Sequence, residues 1–131
     1  MDVITRTHAI LYVRDQQVST AFYRQVLAQE PTLVAPGMTE FEIGSAVVLG
    51  LMPQAGITRL LRLPGDVFVD GQIRGELYLV VDRPADYQAR ALAAGARELS
   101  ALASRDWGDD VAYSLDLDGY VLAFARRSSQ T

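Results

Sequence analysis

Two hydrophobic periods, one of a strand and one of a helix, run along this chain in the same order twice. Residues 8–13 (His8-Ala9-Ile10-Leu11-Tyr12-Val13) and residues 76–81 (Glu76-Leu77-Tyr78-Leu79-Val80-Val81) are apolar, rich in β-branched and aromatic residues, and of strand length. An aspartate follows each run, Asp15 or Asp82, and helical spacing follows the aspartate. The first helix is expected from about Gln16 to Gln29. Asp15 is its N-cap, Val18, Phe22 and Val26 form its apolar stripe, and Pro31 forces its end. In the second helix Asp82 is the expected cap, Pro84 suits the first turn, Ala85, Ala89 and Ala93 repeat the stripe, and Gly95 stops it.

Three strand-like runs follow each helix. After the first they are Thr32 to Ala35, Met38 to Ile43 and Ala46 to Met52, the last apolar on both faces and so expected at a sheet centre. After the second they are Glu98 to Ala103, Asp110 to Leu115 and Tyr120 to Ala125, with Asp118-Gly119 as the closing hairpin turn. Pro53 to Arg74 is the least regular stretch, with turn signals at Pro64-Gly65 and Asp70-Gly71. Ile57, Leu60, Leu61 and Leu63 make it too apolar for a free linker, so it should pack on the domain or on a second subunit. Residues 126–131 are polar and expected to fray. The pattern predicts one α+β domain over residues 1–131. It is built of two β-α-β-β-β modules, about 5–52 and 75–126, joined by 53–74. Aligned on their first strands, the modules place His8 opposite Glu76.

Composition narrows the function classes. A formal net charge of −4 argues against a nucleic-acid partner, which needs a basic face. With no cysteine, disulfides and thiolate metal sites are excluded. The first residues lack the apolar core of a signal peptide, and the longest apolar run is far short of the ~20 residues that span a bilayer. A cytoplasmic protein with no membrane partner is the expectation. No Ser/His/Asp triad is legible, because His8 is the only histidine, and no glycine-rich phosphate loop precedes a helix. Asp116-x-Asp118-Gly119 lacks the rest of a calcium loop and reads as a turn.

The order of His8 through Tyr12-Val13-Arg14-Asp15, Ser19 and Phe22-Tyr23, then Glu76-Leu77-Tyr78 through Val81-Asp82, Asp106-Trp107-Gly108, Ala112-Tyr113 and Asp116-Leu117-Asp118-Gly119 resembles the vicinal oxygen chelate superfamily. That superfamily groups glyoxalases, bleomycin resistance proteins, fosfomycin-modifying enzymes and extradiol dioxygenases. The resemblance implies sheets curved into a half-barrel cleft, completed in a homodimer. Its metalloenzymes carry one ligand on the first and last strand of each module, typically two His and two Glu or Gln. Here those positions are His8, Val48, Glu76 and Ala123, of which only two can coordinate, whereas a catalytic divalent site needs about three protein ligands. The expectation is therefore no metal, no other cofactor and no catalytic residue.

The residues left as ligand-binding candidates are His8, Glu76, Trp107, Tyr12, Tyr78 and Tyr113. Glu76 reads as a solvated carboxylate, a counter-charge for a cation, or a base paired with His8. The tyrosines read as core residues or as cleft walls. Trp107 sits in the polar run Arg105-Asp106-Trp107-Gly108-Asp109-Asp110, where the resemblance implies a stacking role and where packing on residues 53–74 is the alternative. The expected function is metal-independent binding of a small planar or cationic molecule, as in bleomycin-resistance-like members. The alternatives are a divergent lyase or dioxygenase using His8 and Glu76, and a domain that has lost ligand binding.

Overall fold

The computed structural model describes residues 2–129. Its elements, in chain order, are β1 (Thr7–Val13), α1 (Gln16–Leu27), β2 (Leu33–Ala35), β3 (Met38–Gly44), β4 (Val47–Pro53), α2 (Gln54–Leu61), β5 (Gly75–Val80), α3 (Pro84–Ala93), β6 (Arg97–Ser104), β7 (Asp109–Leu115) and β8 (Tyr120–Arg127). The fold is α+β, with two open four-stranded sheets ordered β1-β4-β3-β2 and β5-β8-β7-β6. The chain divides into two compact units. One holds the residues up to Arg24 and Ala28–Val69, the other Gln25–Leu27 and the residues from Asp70 onward.

In the first unit β1 runs parallel to β4, with His8 beside Val48, Ile10 beside Gly50 and Tyr12 beside Met52. β3 lies antiparallel on the other side of β4, so β4 is central as its apolar run demands. Strand alternation sends Leu11, Val13, Phe41, Leu49 and Leu51 to one face, where all are buried. Each such side chain contributes roughly 1.5–3 kcal/mol of hydrophobic stabilisation. Asp15 caps α1 by accepting from the Val18 amide at 3.0 Å. The helix ends at Leu27, with Ala28 turning left-handed (φ 53°), two residues before the expected stop. The expected stripe needs one correction. Phe22 and Val26 are buried, but Val18 is 52% exposed, and Ser19 and Tyr23 take its share of the buried face. The sequence pattern also missed α2. Residues 54–61 form a regular helix whose Ile57 is buried, and beyond it Phe68 meets the Tyr12 ring edge-on at 5.8 Å.

The second unit repeats the plan, β5 pairing parallel with β8 and β8 antiparallel with β7. Two details of α3 differ from expectation. Arg83, not Asp82, occupies the N-cap position, and no side chain caps the helix. Three residues instead of two separate strand from helix here, so Asp82 falls one position too early. The buried face is Pro84, Gln88 and Ala91, while Ala85, Ala89 and Ala93 are exposed. Gln88 earns its burial by donating to the Tyr113 carbonyl at 3.0 Å and to Glu98 at 3.3 Å. Gly95, at φ 113°, follows the helix as a left-handed stop. β8 extends to Arg127, because Arg126 and Arg127 stay in register with Asp110 and Asp109. Of the tail expected to fray, Gln130 and Thr131 lie outside the described residues.

Between β7 and β8 the Asp116 carboxylate accepts from the amides of Asp118 and Tyr120 at 2.9 and 2.8 Å, fixing the predicted turn. Gly119 is required there on two counts. Its φ is +92°, and a Cβ would stand 2.8 Å from the Gln72 carbonyl oxygen. Gly119→Ala should therefore lower stability by on the order of 1–3 kcal/mol, read as a fall in the urea midpoint at unchanged slope. The apolar surface is unevenly placed: Leu60 and Leu61 on α2, and Val67 and Val69 after it, are each about half exposed or more. We expect a homodimer at micromolar concentration, and light scattering should return about twice the 14.4 kDa chain mass.

Candidate functional site

Parallel pairing puts every second residue of β5 and β8 on the sheet face turned away from α3. Glu76, Tyr78 and Val80 share that face, with Val121, Ala123 and Ala125 beside them in register. β7 adds Tyr113 next to Ala123 and Val111 next to Ala125. Val111, Ala123 and Ala125 are completely buried, and Tyr113 packs against them. Small side chains in the middle of the sheet thus leave room for an aromatic ring to pack against it. The Arg105 guanidinium lies over the Tyr113 ring, 5.2 Å from its centroid.

The β6–β7 connection carries Trp107 to the edge of this platform. The Arg105 amide donates to the Asp109 carbonyl at 2.8 Å, the Gly108 amide to the Arg105 carbonyl at 3.3 Å, and the Ser128 amide to the Gly108 carbonyl at 2.9 Å. Gly108 takes φ 94°, which closes so short a loop. Arg105 further donates from Nη2 to Ser100 Oγ at 2.8 Å, the Val111 carbonyl at 2.9 Å and the Ala101 carbonyl at 3.1 Å, which ties the loop to the irregular pairing of β6. At the foot of the loop the Asp110 carboxylate accepts from Ser104 and Ser128 hydroxyls, each at 2.7 Å, and from Arg126 Nε at 3.3 Å. Those hydroxyl bonds, aided by Arg126, hold its carboxyl below the usual range.

The indole is 56% exposed, yet it is not loose. Trp107 Nε1 donates to the Tyr78 hydroxyl at 2.9 Å, and that hydroxyl donates in turn to Asp109 Oδ2 at 2.5 Å. The Tyr78 phenol is pushed above its ordinary range, by loss of hydration first and then by its bond to Asp109. Tyr113 is pushed up by burial and by the nearby Glu76 carboxylate, against the opposing charge of Arg105. Both phenols accordingly keep their protons throughout the neutral range. The second unit therefore gathers four of the six sequence candidates, Glu76, Tyr78, Tyr113 and Trp107, on one face.

His8 and Tyr12 belong to the first unit, on the corresponding face of its own sheet. There His8 Nδ1 lies 3.6 Å from Glu40 Oε2, an exposed contact worth at most about 1 kcal/mol. This face is filled rather than open. A Cβ on Gly50 would meet Ile10 Cγ1 at 3.0 Å and Met38 Sδ at 3.2 Å, so those two side chains already occupy the space. The same unit has a cavity of 710 Å³ on its helix side, between α1 and the β2–β3 turn, with Arg24 and Val34 at its wall. Its floor is a closed network: Gln16 donates to the Ala35 carbonyl and Thr39 and accepts from the Gly37 amide, and the Thr20 and Thr39 hydroxyls bond each other at 2.8 Å. Those groups satisfy one another and leave a ligand little to pair with.

The metal positions suggested by family likeness do not fit an ion. Val48 stands beside His8, and the register places Val121 beside Glu76, with Ala123 two residues on beside Tyr78. Among the described residues no group of three or more His, Asp or Glu is arranged to hold a metal. Sequence reasoning missed Asp109 and Arg105, the first hidden in an acidic run and the second indistinguishable from a surface arginine. Missed too was Glu40, which lies beside His8.

No family model matches the chain, and no curated protein matches it by sequence. Solved structures do match in fold. A glyoxalase-related enzyme from Fulvimarina pelagi superposes with a TM-score of 0.79 at 19% identity, over 92% of this chain and 86% of its own. A glyoxalase/bleomycin resistance protein/dioxygenase family enzyme from Burkholderia phytofirmans PsJN gives 0.79 at 20%, over 95% and 98%. A glyoxalase/bleomycin resistance protein from Catenulispora acidiphila gives 0.66 at 18%, over 94% and 98%. At these identities the likeness establishes the glyoxalase-like fold of paired βαβββ modules. No helix among the described residues is long and apolar enough to cross a membrane.

Asp110 yields a prediction with a definite sign. Its carboxyl is lowered in the folded chain, so its contribution is present above the unfolded carboxylate value, near pH 4, and is lost as pH falls through the folded value. Asp110→Asn should flatten the acid limb of stability, measured as the urea midpoint between about pH 5 and 2. It should also loosen the loop, red-shifting Trp107 emission at pH 7.

Proposed function

We propose that this chain binds a small, planar, cationic organic molecule on the Trp107 face of its second unit, without a metal, and sequesters rather than transforms it. The observation that carries this reading is the hydrogen-bonded chain Trp107–Tyr78–Asp109, which holds an exposed indole in a fixed attitude beside the Asp109 carboxylate. An exposed indole costs solvation unless something covers it, and fixing its plane beforehand reduces the ordering cost of stacking a guest. Asp109 and Glu76 supply negative charge at the rim. The face presents no activated nucleophile, and its phenols stay protonated. One neighbour in fold is a glyoxalase/bleomycin resistance protein. In this reading the protein works in the cytoplasm as a homodimer.

Trp107 is the chain's single tryptophan, so its emission reports the site. Cationic heteroaromatic compounds, bleomycin-like ones included, should quench or shift that emission saturably. Cation–π contacts of this kind are worth roughly 0.5–2 kcal/mol. Trp107→Ala, followed by calorimetry, should weaken binding about tenfold, equivalent to ~1.4 kcal/mol. Glu76→Gln should hurt cationic guests more than neutral ones. A cationic panel that leaves the emission unchanged, while a neutral or anionic compound binds, rejects the reading.

A further inference from the structure

The hydrogen-bond inventory of the Trp107 face goes further than its charge. An indole has one donor and no acceptor, and a phenol has one donor. Trp107 Nε1–H is committed to Tyr78, and the Tyr78 proton is committed to Asp109. What Tyr78 can still offer a guest is a lone pair. The Asp109 and Glu76 carboxylates offer lone pairs only. Of the Arg105 donors, Nη2 is spent on Ser100, Ala101 and Val111 and Nε is wholly buried, which leaves only Nη1, on a guanidinium held over the Tyr113 ring. The Tyr113 hydroxyl can still turn, and it lies in the field of Glu76. At the end of the face Arg127, in register with Asp109 and exposed, is a cation that competes with a guest for that carboxylate.

From this inventory we infer that the face selects its guest as a hydrogen-bond donor: an aromatic body bearing a protonated primary or secondary ammonium, or an amidinium, rather than any cation of the same shape. The inference rests on the cation-binding reading above and narrows it. A quaternary ammonium keeps the cation–π attraction but leaves the Tyr78 and Asp109 lone pairs desolvated and unpaired, whereas an N–H⁺ group satisfies both demands at once. A carboxylate or carbonyl guest would bring acceptors against acceptors, which a specific site uses to reject the wrong ligand. The relay through Tyr78 is what makes the selection sharp, because it consumes the indole donor that could otherwise serve an acceptor guest.

Three probes with one aromatic body test this by calorimetry on the full chain: 2-naphthylmethylammonium, its N,N,N-trimethyl analogue and 2-naphthoate. The primary ammonium should bind at least tenfold tighter than the trimethyl compound, and naphthoate should bind most weakly. Tyr78→Phe removes the relay and should shrink the ammonium preference to less than threefold while the trimethyl compound keeps its affinity. Arg127→Ala should tighten the ammonium several-fold. The trimethyl probe binding as well as the primary one overturns donor selection and leaves the cation reading standing. Naphthoate binding best, or none of the three binding, overturns both. A Tyr78→Phe protein that retains the full tenfold preference also overturns donor selection. A thermal melt matching that of the wild type shows that the variant is folded.

Discussion

Parallel pairing between the first and last strand of each unit is the constraint from which the rest follows. A parallel pair cannot be closed by a tight turn and needs a crossover. The intervening helix and antiparallel strands supply it in both halves. Once β5 lies in register with β8, the side-chain partners are fixed. Tyr78 must stand beside Ala123, and Ala123 beside Tyr113. A one-residue slip would send the tyrosines into the core beneath α3 and the leucines out to the face. Geometry of the candidate site is therefore a consequence of register, and the loop bearing Trp107 only completes it.

The two units use one plan for different ends. In the first, the residue at the centre of the open face is Gly50, and the gap it leaves is taken by Ile10 and Met38. In the second, the centre holds alanines, against which Tyr113 packs, with Trp107 held at the edge by Tyr78. His8 and Glu76 are equivalent positions of the two sheets, but their partners differ. His8 faces Glu40 across a strand, whereas Glu76 acts on Tyr113. Duplication supplies position, and a few side chains decide what covers each face.

Much of this architecture could be read from alternation. Strand-length apolar runs marked all eight strands to within two residues at either end, and Asp15 marked the first cap. The failures have physical causes. α2 was missed although Ile57, Leu60 and Leu61 fall at i, i+3 and i+4, because a helix of eight residues that includes Gly56 is too short a periodic stretch to stand out from a loop. The alanine stripe of α3 was misleading because alanine is equally at home on a solvated face; the buried positions were marked instead by Pro84 and Gln88, residues usually read as surface. At the site, Trp107 and the tyrosines were legible as aromatics in suspicious places. What joins them was not, because the partners of Tyr78 lie 29 and 31 positions away and only the β6–β7 turn brings them together.

The same distance explains why the loop must be stiff. Three backbone bonds close it, Arg105 fastens it to β6, and Asp110 gathers two hydroxyls and a guanidinium at its foot. None of these groups is needed to hold the sheet, whose pairing continues on both sides. Their combined effect is to fix one exposed indole relative to one phenol. A surface tryptophan in a floppy loop would give up conformational entropy on meeting a partner. Here that entropy is lost during folding, and the direction of each proton between Trp107, Tyr78 and Asp109 is settled before any guest arrives. Donors turned inward along the Trp107–Tyr78–Asp109 chain are then a property of the folded chain itself.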